Sequence, residues 1–282
     1  MKALCVWLFL AAVCVAADTE TKHAEMLYPA VRVTAGEAGG SGTILYSEDR
    51  GDGCQTYILT NDHVIAGAVH IKDEWSSLLQ QDVKKEVNDL VQVEIFRYAD
   101  GSRQDISDTC RAEIVAHNEQ HDLALLKLQT ARKFDYVAKL MSDAEVRIFE
   151  PIWAVGCSLL HPPVVTEGIL NYLDDVIDRK VYWMGSAQII FGNSGGAVYL
   201  EKDGHYVFIG VPSRVAGTYN QAVTHMGWFV PVPRIREWFG DEHLQFLLDA
   251  KVTPQSCFEQ RKKVQKDAER QQKAATEKRH DP

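Results

Sequence analysis

From Ala30 onward the chain breaks into short runs of β-branched and aromatic residues separated by Gly, Asp, Asn or Ser. This punctuation constrains the fold more than any other feature. "AVRVTAG" alternates and stops at a glycine. "SGTILYS", "QTYILTNDHVI", "VQVEIFRY", "RAEIVAHN" and "DLALLKLQ" follow within residues 31–129, and "YADGSRQ" sets Asp-Gly between two of them, a strong hairpin signal. A second series begins later: "PIWAVGCSL", "VVTEGILNYL", "KVYWMGSAQII", "GAVYLEKDG", "YVFIGVPSRV" and "MGWFVPVP". Two runs of six short strands predict an all-β chain with two six-stranded antiparallel barrels, not a βαβ array. The first barrel and its N-terminal segment are expected over 18–140, and the second over 141–258.

Two stretches carry helical spacing. Glu74–Leu90 has Trp75, Leu78, Leu79 and Val83 on one helical face, which predicts an inserted helix or lid. Arg234–Ala250 predicts a terminal helix on Ile235, Trp238, Phe239, Leu244, Phe246 and Leu247. The tail, 259–282, has Val264 as its only large aliphatic residue, so it can bury almost nothing and reads as a solvated helix or a disordered segment. The tail holds eight Lys/Arg against five Asp/Glu, whereas the whole chain carries a net charge of −9. That balance, with no Arg/Lys-rich motif in the body, excludes nucleic acid as an expected partner. The basic excess suits a tail that is only solubilising, with weak contact to an anionic surface as the alternative.

The first residues pair one Lys with an apolar run from Ala3 to Ala17 that ends Val15-Ala16-Ala17. This is the pattern of a secretory signal peptide over 1–17, cleaved after Ala17. The run is shorter than the roughly 20 residues that span a bilayer. The mature chain is therefore expected to be exported, periplasmic or secreted, with no transmembrane helix. Cys5 and Cys14 leave with the signal, and Cys54, Cys110, Cys157 and Cys257 remain. Four cysteines allow three pairings. If bonds form, Cys54–Cys110 and Cys157–Cys257 are the expected ones, with buried free thiols as the alternative. No cysteine spacing suits zinc, and neither metal nor cofactor is expected.

"GNSGGAVY", Gly192–Tyr199, crowds small residues around Ser194. It is either a glycine-rich turn or a nucleophile turn. A serine hydroxyl becomes a useful nucleophile only when a neutral imidazole takes its proton, and the imidazole needs a carboxylate to fix its tautomer. His63 in "LTNDHVIAG" and Asp122 in "HDLALLKL" stand at strand ends in the first series, and Ser194 precedes a strand in the second. The order His, Asp, Ser across two successive six-stranded units supplies the parts.

With these blocks in place, "GSGTILYS", "YILTNDHVI", "DLALLKL" and "GNSGGAV" resemble the chymotrypsin-like (trypsin-fold) serine peptidases, in particular the HtrA/Deg-like branch. The resemblance covers roughly Ala30–Pro233. It implies His63 as general base, Asp122 as its orienter and Ser194 as nucleophile. It assigns the oxyanion hole to the backbone N–H groups of Gly192 and Ser194. His117 and His121 lie near Asp122 but receive no role.

Some residues depart from the relatives. Digestive members pair a new N-terminal amine with an Asp just before the nucleophile, where this chain has the uncharged Asn193. About 49 residues follow Pro233, fewer than a PDZ domain needs, so a module without a PDZ domain is expected. Gln188, Ile189, Ile190 and Phe191 stand where the resemblance puts the base of the substrate pocket, with Ile190-Phe191 in place of the usual Asn-Pro. The pocket should be apolar and not directed at Arg or Lys. The expected function is an exported serine endopeptidase, a hydrolase acting on polypeptides. The alternative is a trypsin-fold binding or scaffold module that cleaves nothing.

Overall fold

In a computed structural model of the chain, the described residues are 18–280 except 50, 52, 77–80, 100, 143, 144 and 220. The leader expected at 1–17 lies outside them. β1 (Ala30–Ala35) sends Val31 and Val33 inward and leaves Arg32 and Thr34 half-exposed, the alternation its sequence shows. Gly36, at φ +62°, turns the chain into β2 (Ala38–Asp49), with Ala35 opposite Ala38. β3 (Cys54–Thr60), β4 (Val69–Ser76), β5 (Gln81–Asn88), β6 (Val91–Ala99), β7 (Arg103–Asn118) and β8 (Leu123–Leu128) follow. Six of these strands close into an antiparallel barrel in the order β1-β2-β3-β8-β7-β6. Its core is branched aliphatic, with Val33, Ile44, Ile58, Val93 and Leu126 fully or almost fully buried.

The second barrel comprises β9 (Pro151–Gly156), β10 (Val164–Ile177), β11 (Lys180–Gly185), β12 (Ala197–Lys202), β13 (His205–Thr218) and β14 (Gln221–Pro231). It closes in the order β10-β11-β14-β13-β12-β9 around Ile152, Leu170, Trp183, Ile209 and Phe229. The two six-strand series of the sequence thus become two closed barrels.

The inserted helix expected over Glu74–Leu90 does not form. Val69–Ser76 and Gln81–Asn88 pair as an antiparallel two-stranded sheet, from Val69 opposite Asn88 to Ser76 opposite Gln81. Val83 and Val87, four apart, satisfy a period of 2 as well as one of 3.6, so they do not discriminate. β-branched Val69, Ile71, Val83 and Val87 favour the extended form. A cross-strand charge pair supports it: Lys85 Nζ lies 2.6 Å from Glu74 Oε2. Leu78 and Leu79 of the expected helical face lie outside the described residues.

The expected disulfides are also absent: Cys54, Cys110, Cys157 and Cys257 are free thiols. β8 lies between β3 and β7 in the barrel, so Cys54 and Cys110 sit two strands apart. Two strand spacings of about 4.8 Å exceed the roughly 7 Å limit for a bridged Cα pair. Cys157 is buried, with its Sγ 3.6 Å from Val31 O, and Cys257 Sγ lies 3.8 Å from Gln245 Oε1.

Residues 233–282 form a second compact unit. A short helix, α1 (Asp62–Ile65), follows β3 in the first barrel, and α2 (Val232–Asp241) follows β14. The helix expected to reach Ala250 ends earlier. His243 takes φ +52°, and only a single 3₁₀ turn, Gln245–Leu247, follows. The tail is helical: α3 runs Pro254–His280. Its first turns are anchored by Phe258 against Phe246, with ring centroids 6.0 Å apart, and by Arg261 Nη2 to Glu242 Oε2 at 3.0 Å. Among the described residues no helix is long and apolar enough to cross a membrane.

Candidate active site

β3 is buried along Thr56–Thr60, which fixes where its end delivers the chain. Asn61 stays extended at φ −84°, ψ 154°, and α1 then places His63 in its first turn. Asn61 is fully buried and its Nδ2 donates to Asp122 O at 2.7 Å, tying the end of β3 to the β7–β8 turn. In that turn Asp122 adopts φ +54°, a left-handed conformation that Asp tolerates better than most side chains. Its amide donates to Glu119 O at 3.2 Å.

These two anchors bring His63 Nδ1 to 2.8 Å from Asp122 Oδ1 and 3.0 Å from Oδ2. The His63 amide adds a 3.3 Å bond to Oδ1. A carboxylate only accepts, so Nδ1 carries the proton and Nε2 remains the basic nitrogen of the ring. Asp122 is only 7% exposed, and a buried carboxylate is tolerated when donors surround it. A further donor is Ser213 Oγ, 2.6 Å from Oδ2. The β13–β14 register shifts between Pro212 and Arg214, leaving Ser213 as the bulged residue. A bulge re-aims a side chain that regular alternation would point elsewhere.

Ser194 lies in the loop between β11 and β12. Asn193 N donates to Ile190 O at 3.0 Å, and Gly192 sits at φ +94° in the third position of that turn, the geometry of type II. A Cβ at Gly192 would fall 2.3 Å from Cys157 O, so only glycine fits. Buried Asn193 locks the turn from inside: its Oδ1 accepts from Ile190 N at 3.0 Å and from Ser158 Oγ at 2.9 Å. Gly195, at φ +83°, presses against the first barrel, where a Cβ would meet Ser41 O at 2.1 Å. Ser41 on β2 stitches the barrels together. Its amide donates to Ser194 O at 2.7 Å, its Oγ donates to Gly192 O at 2.6 Å, and it receives Cys157 N at 2.7 Å.

His63, Asn193, Ser194 and Ser213 line one cleft of about 420 Å³. Ile189, Ile190, Phe191, Arg214 and Val215 complete its wall. Gln188 is not part of that lining; its carbonyl accepts from Thr166 Oγ1 at 2.7 Å. Ile189 packs over Gly227, where an added Cβ would come within 2.6 Å of Ile189 Cγ1. Phe191 is 71% exposed. Among the described residues, no hydrogen bond joins Ser194 Oγ to His63, and the amides of Gly192 and Ser194 donate to no protein acceptor.

His117 is not idle. Its Nδ1 lies 2.7 Å from Asp62 Oδ1, beside His63 in sequence, and its Nε2 lies 3.0 Å from Glu86 Oε1 on β5. The Asp62 carboxylate above all, aided by Glu86 against the opposing effect of burial, raises the His117 pKa to about 9. Sequence reasoning missed Ser41, Asn61, Ser158 and Ser213. Small polar residues inside or beside strands carry no local signal of what they bond across the fold.

Comparisons with known proteins identify the family and the fold. The family model for a trypsin-like peptidase domain matches residues 40–211. Among similar solved structures, the HtrA-type protease AlgW with tripeptide is 19% identical at a TM-score of 0.55, covering 82% of this chain and 63% of that one. Deg5 is 21% identical at 0.54, covering 79% and 91%. The MamO protease domain from Magnetospirillum magneticum is 19% identical at 0.55, covering 76% and 96%. This chain therefore spans less than two thirds of AlgW but most of Deg5. Because the family match starts on β2 of one barrel, reaches β13 of the other and includes His63, Asp122 and Ser194, the chain belongs to the trypsin-like peptidase family of serine proteases, with HtrA/Deg-type proteases among its structural neighbours.

Proposed function

We propose that this chain is an exported serine endopeptidase that cleaves polypeptides through an acyl-enzyme. The observation that carries the reading is the 2.8 Å bond from His63 Nδ1 to Asp122 Oδ1 at the edge of the cleft that Ser194 also lines. With Nδ1 protonated, Nε2 is free to take the Ser194 hydroxyl proton as Oγ attacks the scissile carbonyl. The carbonyl π electrons move to oxygen, and the amides of Gly192 and Ser194 receive the oxyanion. Collapse breaks the C–N bond, and His63 returns its proton to the leaving amine. Water, deprotonated by the same nitrogen, then releases the acid and restores Ser194. Contact between Ser194 and His63 tightens when substrate fills the cleft.

Ile189, Ile190 and Val215 make the cleft wall apolar, and among the described residues its lining carries no carboxylate to receive a substrate Lys or Arg. A small or medium aliphatic side chain next to the scissile bond fits this wall. One methylene more or less is worth about 1–3 kcal/mol of discrimination. Export through the 1–17 leader is part of the same proposal. It predicts an intact mass beginning at Asp18 after expression in a secreting host.

A binding module without turnover is the second reading, favoured only by the missing Ser194–His63 bond. A fluorophosphonate probe separates the two. It should label the wild type and not Ser194→Ala. A wild type that stays unlabelled overturns the peptidase reading.

A further inference from the structure

Arg214 follows the bulged Ser213 on β13 and lines the cleft that also holds His63 and Ser194. Its guanidinium carbon sits 5.3 Å from the centroid of the Tyr182 ring, and its Nη1 donates to Asp178 Oδ2 at 2.7 Å. Tyr182 is a buried residue of β11. Asp178 belongs to the tight β10–β11 turn, where it and Arg179 take φ +52° and +66°. From the same turn Lys180 Nζ donates to Glu119 O at 2.6 Å, in the β7–β8 turn that carries Asp122. The β10–β11 turn thus reaches the first barrel beside the cleft. Arg214 adds a cation to a wall otherwise formed by Ile189, Ile190, Phe191 and Val215.

The pair with Asp178 is built to be exchanged. The Asp178 side chain is 72% exposed, and exposed ion pairs are weak because water and salt screen them. Tyr182 holds the guanidinium over its ring and draws on no more than part of its five N–H donors. Asp178 accepts from Nη1, one nitrogen of a five-donor fork. A carboxylate arriving inside the cleft can engage that fork bidentately, and charge-assisted contacts of this kind strengthen as water is excluded.

We propose that Arg214 selects polypeptide substrates with an Asp or Glu side chain close to the scissile bond, and that Asp178 stands in for that carboxylate while the cleft is empty. The inference rests on the endopeptidase reading above and adds the substrate class. The apolar wall takes the aliphatic side chain, and Arg214 reads the acid beside it. A Lys or Arg at that place meets like charge.

The test is a positional-scanning peptide library cleaved by the full chain, with fluorophosphonate labelling run in parallel. The wild type should enrich Asp and Glu at one position near the cut by about tenfold or more over Gln and Asn, the scale of a charged hydrogen bond. Arg214→Glu should invert that position to Lys and Arg, a gain that a damaged fold cannot mimic. Asp178→Asn should keep the acidic preference and raise it by a few-fold. Cleavage and labelling without acidic enrichment in the wild type, or an unchanged preference in both variants, overturn the role of Arg214 alone. A wild type that neither cleaves nor labels overturns the endopeptidase reading and this inference with it.

Discussion

Ser213 Oγ donates a 2.6 Å hydrogen bond to Oδ2 of Asp122, whose Oδ1 accepts from His63 Nδ1 at 2.8 Å. The carboxylate is therefore gripped from both barrels, since Ser213 lies on β13 and His63 follows β3. Without the serine, Asp122 would be a buried anion held from one side only.

Ser213→Ala should accordingly lower both stability and turnover. A buried charged acceptor that loses a partner costs about 1–3 kcal/mol. The expected result is a lower urea midpoint and a kcat reduced about tenfold, with Ser213→Thr recovering most of both. An Ala variant with wild-type kcat would show that Ser213 only fills space.

Asp122→Asn tests the tautomer argument. An asparagine can present its amide N–H to His63 and favour the ring form with Nδ1 unprotonated, which removes Nε2 as a base. Turnover should fall by roughly 10⁴, the scale of this substitution in a comparable triad, while the fold persists. Circular dichroism and single-turnover hydrolysis together check it. Loss of the folded spectrum would make the effect structural.

His117 gives a stability signature with a definite sign. Its folded pKa is about 9 against an ordinary 6.5, so the protonated ring is favoured in the fold. Its contribution is complete below about pH 6.5 and is lost as pH rises through about 9. His117→Gln should flatten that part of the stability curve, measured as urea midpoints from pH 6 to 10. An unchanged slope would mean that the Asp62–His117–Glu86 contact is not maintained in solution.

The thiols offer a graded test. Burial pushes the Cys157 thiol up to about 12 and also raises Cys110. In native protein Cys157 should resist iodoacetamide longer than Cys54. After unfolding without reductant, Cys54, Cys110, Cys157 and Cys257 should all alkylate, read by mass. A mass deficit matching a disulfide would contradict the free-thiol state.

The sequence by itself determined the strand inventory, because alternation and Gly/Asp punctuation act over a few residues. Each of the twelve runs quoted from it falls on a barrel strand. It also singled out His63, Asp122 and Ser194 as candidates, since their motifs are local. It misjudged 74–90, where spacings of four suit both a helix and a strand, and the choice fell to cross-strand partners such as Glu74 and Lys85. Tertiary structure alone decided the rest. Ser41 meets Gly192 and Ser194, and Ser213 meets Asp122, only because two closed barrels pack with these edges together, and Arg214 meets Asp178 only because the second barrel closes. The physical reason is that a hydroxyl or guanidinium has no preferred partner in sequence. Its partner is whichever group closure of the sheets leaves within 3 Å or so of it.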